Sequence, residues 1–200
     1  MKQELSERLT LNLDRVRNLI KVYEGLAGHG QGRRPVHSTD VLRAATVLLH
    51  SALEDFLRSL ENWKLPQASE ATLNDVALAG TPRRAEKFSL GKLAQYRGRT
   101  VDQVIGDSVS QHLNRKSYNS VAEIKGTLQG LGLEAPALSQ YSNDLAALME
   151  RRHHIVHQAD RETTAGTGHH QARSLSKLRV EAWLAAVRDS AAHVLAVTPP

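Results

Sequence analysis

The chain contains no cysteine, which excludes a disulfide framework, thiolate zinc sites and a cysteine nucleophile, and which suits a reducing compartment. Aromatic residues make up only 4% of its 200 residues, too few for the stacking platforms that hold single strands in oligonucleotide-binding barrels. No run approaches the ~18 apolar residues of a membrane span. The opening Met1 to Leu11 is charged within its first few residues and lacks the apolar centre of a signal peptide, so a cytoplasmic location is expected. No glycine cluster is followed by Lys-Ser or Lys-Thr, so the phosphate loop of nucleotide hydrolases is missing. Strand patterning is absent throughout, and so is any repeat of roughly 20 to 50 residues.

What remains is the material of one helical domain. An apolar content of 40% can bury a core without metals or disulfides. Lys and Arg exceed Asp and Glu, 26 against 21, for a formal charge of +5. Such a balance suits either a phosphate-rich partner or simply a solvated positive face, and with so few aromatics any RNA contact is mostly ionic.

Leu9, Leu13, Val16, Ile20 and Tyr23 alternate in steps of four and three, which predicts one long amphipathic helix over residues 1–28, ended by Gly25, Gly28, Gly30 and Gly32. Ser38, Thr39 and Asp40 form a capping cluster ahead of a second helix through Leu42, Ala45, Leu49, Ala52, Phe56 and Leu60, closed by Pro66. Glu70 to Gly132 reads as short helices, among them Leu90 to Tyr96, Val101 to Leu113 and Val121 to Leu131. A further helix starts near Ser139 and carries Leu145, Leu148 and Met149 into Glu150 to His157. Residues 161–173 are polar and read as a mobile loop. Ser174 then caps a last helix with Leu184, Val187, Ala191 and Val194 on one side. The expected fold class is all-α: a single helical bundle over residues 1–200, with an inserted region of short helices and a core made by the long first, second, motif-bearing and last helices.

The string from Met149 to Gln158 packs Arg151, Arg152, His153, His154 and His157 around the apolar pair Ile155 and Val156. Imidazole exchanges a proton near neutrality, and guanidinium presents a fixed fork of donors to phosphate oxygens. Cleavage of a phosphodiester needs both: a group that moves the proton of the attacking or leaving oxygen, and a group that stabilises charge building on phosphorus. Two plainer readings stand beside this one. Positive residues near a helix C-terminus are favoured by its dipole and often form only a solvated face. His153 and His157, four apart, could also share a zinc ion, but the acidic residue that follows the first histidine in His-Glu-x-x-His hydrolases is missing, so no metal is assigned.

The order Arg152, polar His153, three further residues and His157 resembles the motif of the HEPN superfamily, in which an arginine and a polar residue precede a histidine by a few positions. The polar position here is histidine, where the family most often carries asparagine. The second helix, with Leu48-Leu49-His50-Ser51-Ala52-Leu53-Glu54-Asp55-Phe56-Leu57, is similar to the helix preceding the motif helix in that superfamily. The segment Phe88 to Gly132 resembles the insert of the RiboL-PSP-HEPN branch. The likeness covers residues 38–195.

The resemblance implies a HEPN-like bundle acting as a metal-independent endoribonuclease without a cofactor, of a toxin or antiviral defence system. It implies a homodimer in which the motif helices of two copies line one basic cleft, with an antitoxin or a nucleotidyltransferase as a further partner. Arg152 would bind the scissile phosphate, and His157 would act as general acid or base while the RNA 2′-hydroxyl attacks. Five positions place Arg152 and His157 about 140° apart on an ideal helix, which calls for a second copy, long side-chain reach or fraying. His153 would support the pair. Glu54 is a candidate to orient Arg152 or His157; the competing reading is an ion pair with Arg58 one turn on. Arg151 and His154 belong either to the RNA-binding rim or to ordinary surface charge. The loop arginines Arg33, Arg34, Arg83, Arg84, Arg97 and Arg99 are lesser candidates for guiding a backbone. Members of the superfamily that bind RNA, nucleotides or partner proteins without cutting keep a non-catalytic module open as the second reading.

Overall fold

A computed structural model describes residues 1–27, 36–81, 90–162 and 172–200. Its elements are α1 (Lys2–Ala27), α2 (Val36–Lys64), a 3-10 turn (Leu65–Gln67), α3 (Glu70–Leu73), a 3-10 segment (Leu90–Tyr96), α4 (Val101–Leu113), α5 (Val121–Gly130), α6 (Leu138–Gln158) and α7 (Lys177–Val197). The described residues form no strand; Arg161 and Ala172 make one isolated antiparallel bridge at the base of the α6–α7 connection. No helix among them is long and apolar enough to cross a membrane.

The four long helices expected to make the core do so. Leu9, Leu13, Val16, Ile20 and Tyr23 of α1 are buried, as the periodicity of the sequence requires, and Leu5 extends their stripe by one turn. α2 lies at the centre, packed against α1, α4, α6 and α7. It therefore buries more than one face: Leu42, Leu49, Phe56 and Leu60 along one line, Leu53 and Leu57 beside it. Leu145, Leu148 and Met149 of α6 and Val180, Trp183, Val187 and Val194 of α7 close the same core. Leu65, Val109 and Leu113 form a smaller cluster under α4.

Several boundaries differ from expectation for identifiable reasons. α2 begins at Val36, ahead of the Ser38–Asp40 cluster. Thr39 and Asp40 instead accept from the Arg43 guanidinium one turn on. α7 is capped by Ser176, which accepts from the Arg179 amide, not by Ser174. Capping boxes start α4 (Thr100 with Gln103) and α5 (Ser120 with Glu123). Of the expected 161–173 loop, residues 163–171 lie outside the described residues, as do Gly28, Gly30, Gly32, Arg33, Arg34, Arg83 and Arg84. Arg99 is described, and its guanidinium pairs with Asp107.

A polar stripe on α2 ties the α4–α5 linker to the core. His50, Glu54, Arg58 and Glu61 follow one another at steps of four, four and three, so they share a face. Arg58 donates to the carbonyls of Leu113 (3.1 Å) and Lys116 (2.9 Å). Glu61, 3% exposed, accepts from the Tyr118 hydroxyl and from Lys116. Burial, and then the Glu61 carboxylate, push the Tyr118 phenol well above its ordinary pKa.

Candidate functional site

The last two turns of α6 carry the string singled out in the sequence, and consecutive residues on a helix point about 100° apart. That rotation sorts the candidates into two groups. Arg151 turns inward. Its Nη2 donates to Asp160 Oδ2 at 2.8 Å and to the carbonyls of Arg173 and Ser174 at 2.9 and 3.0 Å. Asp160 is fully buried and also accepts from Arg43 Nε at 2.7 Å. Arg43 in turn donates to the Arg173 carbonyl at 2.7 Å. Burial lowers the Arg151 pKa, and the Asp160 carboxylate partly restores it. Read from the sequence as either RNA-binding rim or ordinary surface charge, Arg151 ties α2, the end of α6 and the start of α7 together through these contacts.

Asp160 reaches that position because α6 ends abruptly. Ala159 and Asp160 adopt left-handed φ values of 50° and 53°. The Asp160 amide donates back to the His154 carbonyl at 3.0 Å, in the manner of a helix C-terminal motif that more often carries glycine. The reversal folds the Asp160 side chain beneath the last turn of the helix, where the two guanidinium groups converge. The ion pair thereby fixes the turn that carries His157.

His154 is occupied locally: its Nδ1 lies 2.7 Å from Gln158 Oε1 and its Nε2 3.6 Å from Glu150. Its neighbours are not. Arg152 is half-buried, whereas His153, Val156 and His157 are exposed. Arg152 makes no hydrogen bond or ion pair with a described residue, and neither imidazole of His153 and His157 makes any. The two rings pack against each other, centroids 4.7 Å apart and tilted by 45°. No group of three or more potential metal ligands occurs among the described residues.

The charge of Arg152 reaches His50 on α2. His50 is 1% exposed and sits 3.2 Å from the Tyr118 carbonyl through Nε2. A carbonyl oxygen can only accept, so Nε2 carries the proton. Nδ1 is then an acceptor; it is buried without a hydrogen-bond partner, 3.7 Å from Glu54 Oε2. Burial lowers the His50 pKa, Glu54 opposes that shift and Arg152 adds to it, so the ring is neutral at pH 7. Glu54 accepts from the Tyr118 amide at 3.2 Å. It pairs with neither Arg152 nor Arg58 among the described residues. Arg58 is drawn away by the linker carbonyls, which corrects the ion-pair reading; Glu54 stands beside Arg152 through His50.

Sequence reasoning passed over His50, Arg43 and Asp160. His50 sits next to Leu49 on an apolar helix four residues before Glu54, and that i, i+4 spacing was the available signal. Within one chain Arg152 and His157 are not brought together: one borders α2, and the other stands in solvent with His153. No family model, curated protein or solved structure matches the chain.

Proposed function

We propose that this protein is a metal-independent endoribonuclease of HEPN type, working as a homodimer whose two α6 helices face each other. One observation carries this reading. Of the five basic residues in the string, Arg151 and His154 have hydrogen-bond or ion-pair partners, while Arg152, His153 and His157 present a cation and two imidazoles with no such partner among the described residues. Folding leaves available the two groups that phosphodiester cleavage needs, and they flank an exposed apolar residue, Val156, 48% accessible, on which a second copy could seat.

In this mechanism Arg152 holds the scissile phosphate through two non-bridging oxygens and stabilises the charge that accumulates there. His157 of one copy takes the proton of the 2′-hydroxyl as its oxygen bonds to phosphorus. His157 of the other protonates the departing 5′ oxygen as the phosphorus–oxygen bond breaks. The products are a 2′,3′-cyclic phosphate and a 5′-hydroxyl, and DNA, with no 2′-hydroxyl, is not cut. A second copy supplies what a single chain lacks, since Arg152 and His157 of one helix point in different directions. Toxin or defence roles, with an antitoxin or nucleotidyltransferase as partner, are contexts in which such an activity is held in check.

The test is cleavage of single-stranded RNA by the purified full chain in the presence of EDTA. Arg152→Ala is expected to lose about 10²- to 10³-fold in rate, and His157→Ala about 10²- to 10⁴-fold. Arg151→Ala should act on stability. Wild-type protein that binds RNA without cutting it, and keeps that binding in His157→Ala, would leave the non-catalytic module as the correct reading.

A further inference from the structure

The polar stripe on α2 does more than fasten the α4–α5 linker. It connects Arg152 to a second basic site. The charge of Arg152 reaches His50 on α2, and further along that helix Lys116 pairs with Glu61. The eleven residues from His50 to Glu61 rise on the order of 16 Å. Beside Lys116, α4 and the segment after α3 enclose a cavity of about 330 Å³ lined by Ala77, Thr81, Gln111, His112, Arg115 and Lys116.

The cations of this cavity differ in how they are occupied. Lys116 is held by Glu61 and by Thr127. Arg115 is exposed, and neither its guanidinium nor the imidazole of His112 has a hydrogen-bond or ion-pair partner among the described residues. A basic residue at a helix C-terminus ordinarily answers the helix dipole. Here that duty falls to Arg58, whose guanidinium already takes the Leu113 and Lys116 carbonyls. Arg115 and His112 are therefore surplus to capping. Next in the linker, Ser117 and Asn119 are exposed and uncharged, and Tyr118 between them meets His50 through its carbonyl. The nearby carboxylates are engaged: Glu61 by Lys116 and Tyr118, Glu54 by the Tyr118 amide, and Glu123 by the amides of Asn119 and Ser120.

We propose that the cavity edge at Arg115 and His112 is a second phosphate subsite for single-stranded RNA, reached by a strand that runs from Arg152 over Ser117 and Asn119. The proposal rests on the reading of Arg152 as a phosphate ligand. A dinucleotide, with a single internucleotide phosphate, fills only the Arg152 site; a longer strand fills both. Sparse aromatics make the contact ionic and tolerant of sequence.

The experiment measures binding of 3′-labelled oligouridylates, a dinucleotide and an octanucleotide, to the full chain carrying His157→Ala so that the RNA survives. Arg115→Ala and, separately, His112→Ala are added. Arg115→Ala is expected to weaken octanucleotide binding about tenfold, the scale of one charge-assisted contact. It should also reduce the salt slope by about 0.7, the share of one single-strand phosphate, and leave the dinucleotide unaffected. His112→Ala should act in the same direction. Equal losses for both lengths, or no loss for either, overturn the subsite. Arg152→Ala separates the two readings. It should weaken both oligonucleotides; if it weakens neither while Arg115→Ala still weakens the octanucleotide, the subsite stands and the role given to Arg152 falls. Inorganic phosphate that displaces the octanucleotide as readily as a longer oligonucleotide does would also overturn it, marking the cavity as a site for small anions.

Discussion

Asp160→Asn removes one negative charge from a place where two guanidinium groups meet and water does not reach. In the native chain Asp160 Oδ2 accepts from Arg43 at 2.7 Å and from Arg151 at 2.8 Å, and the carboxylate is 0% exposed. Removing one partner of a buried pair typically costs 3–5 kcal/mol, because the remaining charge stays desolvated. The lower end applies here, since the Arg43 and Arg151 side chains are 11% and 15% exposed and both keep the Arg173 carbonyl. A loss of about 3 kcal/mol lowers Tm by about 6 to 12 °C in a domain of this size. Asparagine is the informative substitution because it tolerates the left-handed backbone that Asp160 occupies; Asp160→Ala loses the charge and adds backbone strain, so it should fall further. Urea and thermal unfolding of both variants, with Arg43→Met and Arg151→Met as double-mutant partners, give the coupling energies. A Tm change under about 2 °C for Asp160→Asn, or additive losses in the double variants, would refute the clamp.

Ala159 holds φ of 50° at the end of α6, a conformation that costs a residue with a Cβ roughly 1–2 kcal/mol. Ala159→Gly relieves it, against about 0.4–1 kcal/mol of added unfolded-state entropy; thermal unfolding should show a net gain of about 0.5–1 kcal/mol, and a lower Tm would contradict the assigned turn. His50 offers a pH signature. Its folded pKa lies below the ordinary 6.5, so between the folded value and 6.5 the unfolded chain binds more protons, and stability falls as pH drops through that window. Unfolding at stepped pH should show a shallower acid loss in His50→Gln, which keeps a donor for the Tyr118 carbonyl. NMR titration should show the His50 pKa rising in Arg152→Ala; an unmoved titration would place Arg152 away from α2.

The stripes Leu9 to Tyr23 and Leu42 to Leu60 were legible in the sequence because helical burial follows a period that each segment repeats over several turns. The boxes at Thr100/Gln103 and Ser120/Glu123 were equally local signals, and they fix the starts of α4 and α5. The end of α6 near His157 was legible as the point where a polar stretch begins, but the clamp that fixes it was not. Gln158-Ala159-Asp160-Arg161 contains neither glycine nor proline, and what stops the helix there is the pull of two distant guanidinium groups on one carboxylate. Arg43 lies 117 residues from Asp160 in the chain, a separation at which no spacing rule operates. His50 was hidden differently, as a polar residue within an apolar helix, its role set by a linker that returns from α4.

The distinction that matters most for function, between Arg151 and Arg152, follows from the same clamp. Both arginines have the same chemistry, and either could serve a phosphate. Asp160 separates them by geometry: once its carboxylate is fixed under the last turn, the helix azimuth that gives Arg151 to it turns Arg152 about 100° away. A neutral imidazole, with a carboxylate already engaged by the Tyr118 amide, offers Arg152 no competing anion at bonding distance. If the protein cuts RNA as proposed, loosening the clamp should impair cleavage at temperatures where the fold is still intact, because helix α6 would lose the rotation that keeps its second arginine clear of partners among the described residues. Asp160→Asn protein assayed well below its own Tm tests this: cleavage at the wild-type rate there would show that the orientation of Arg152 does not depend on Asp160.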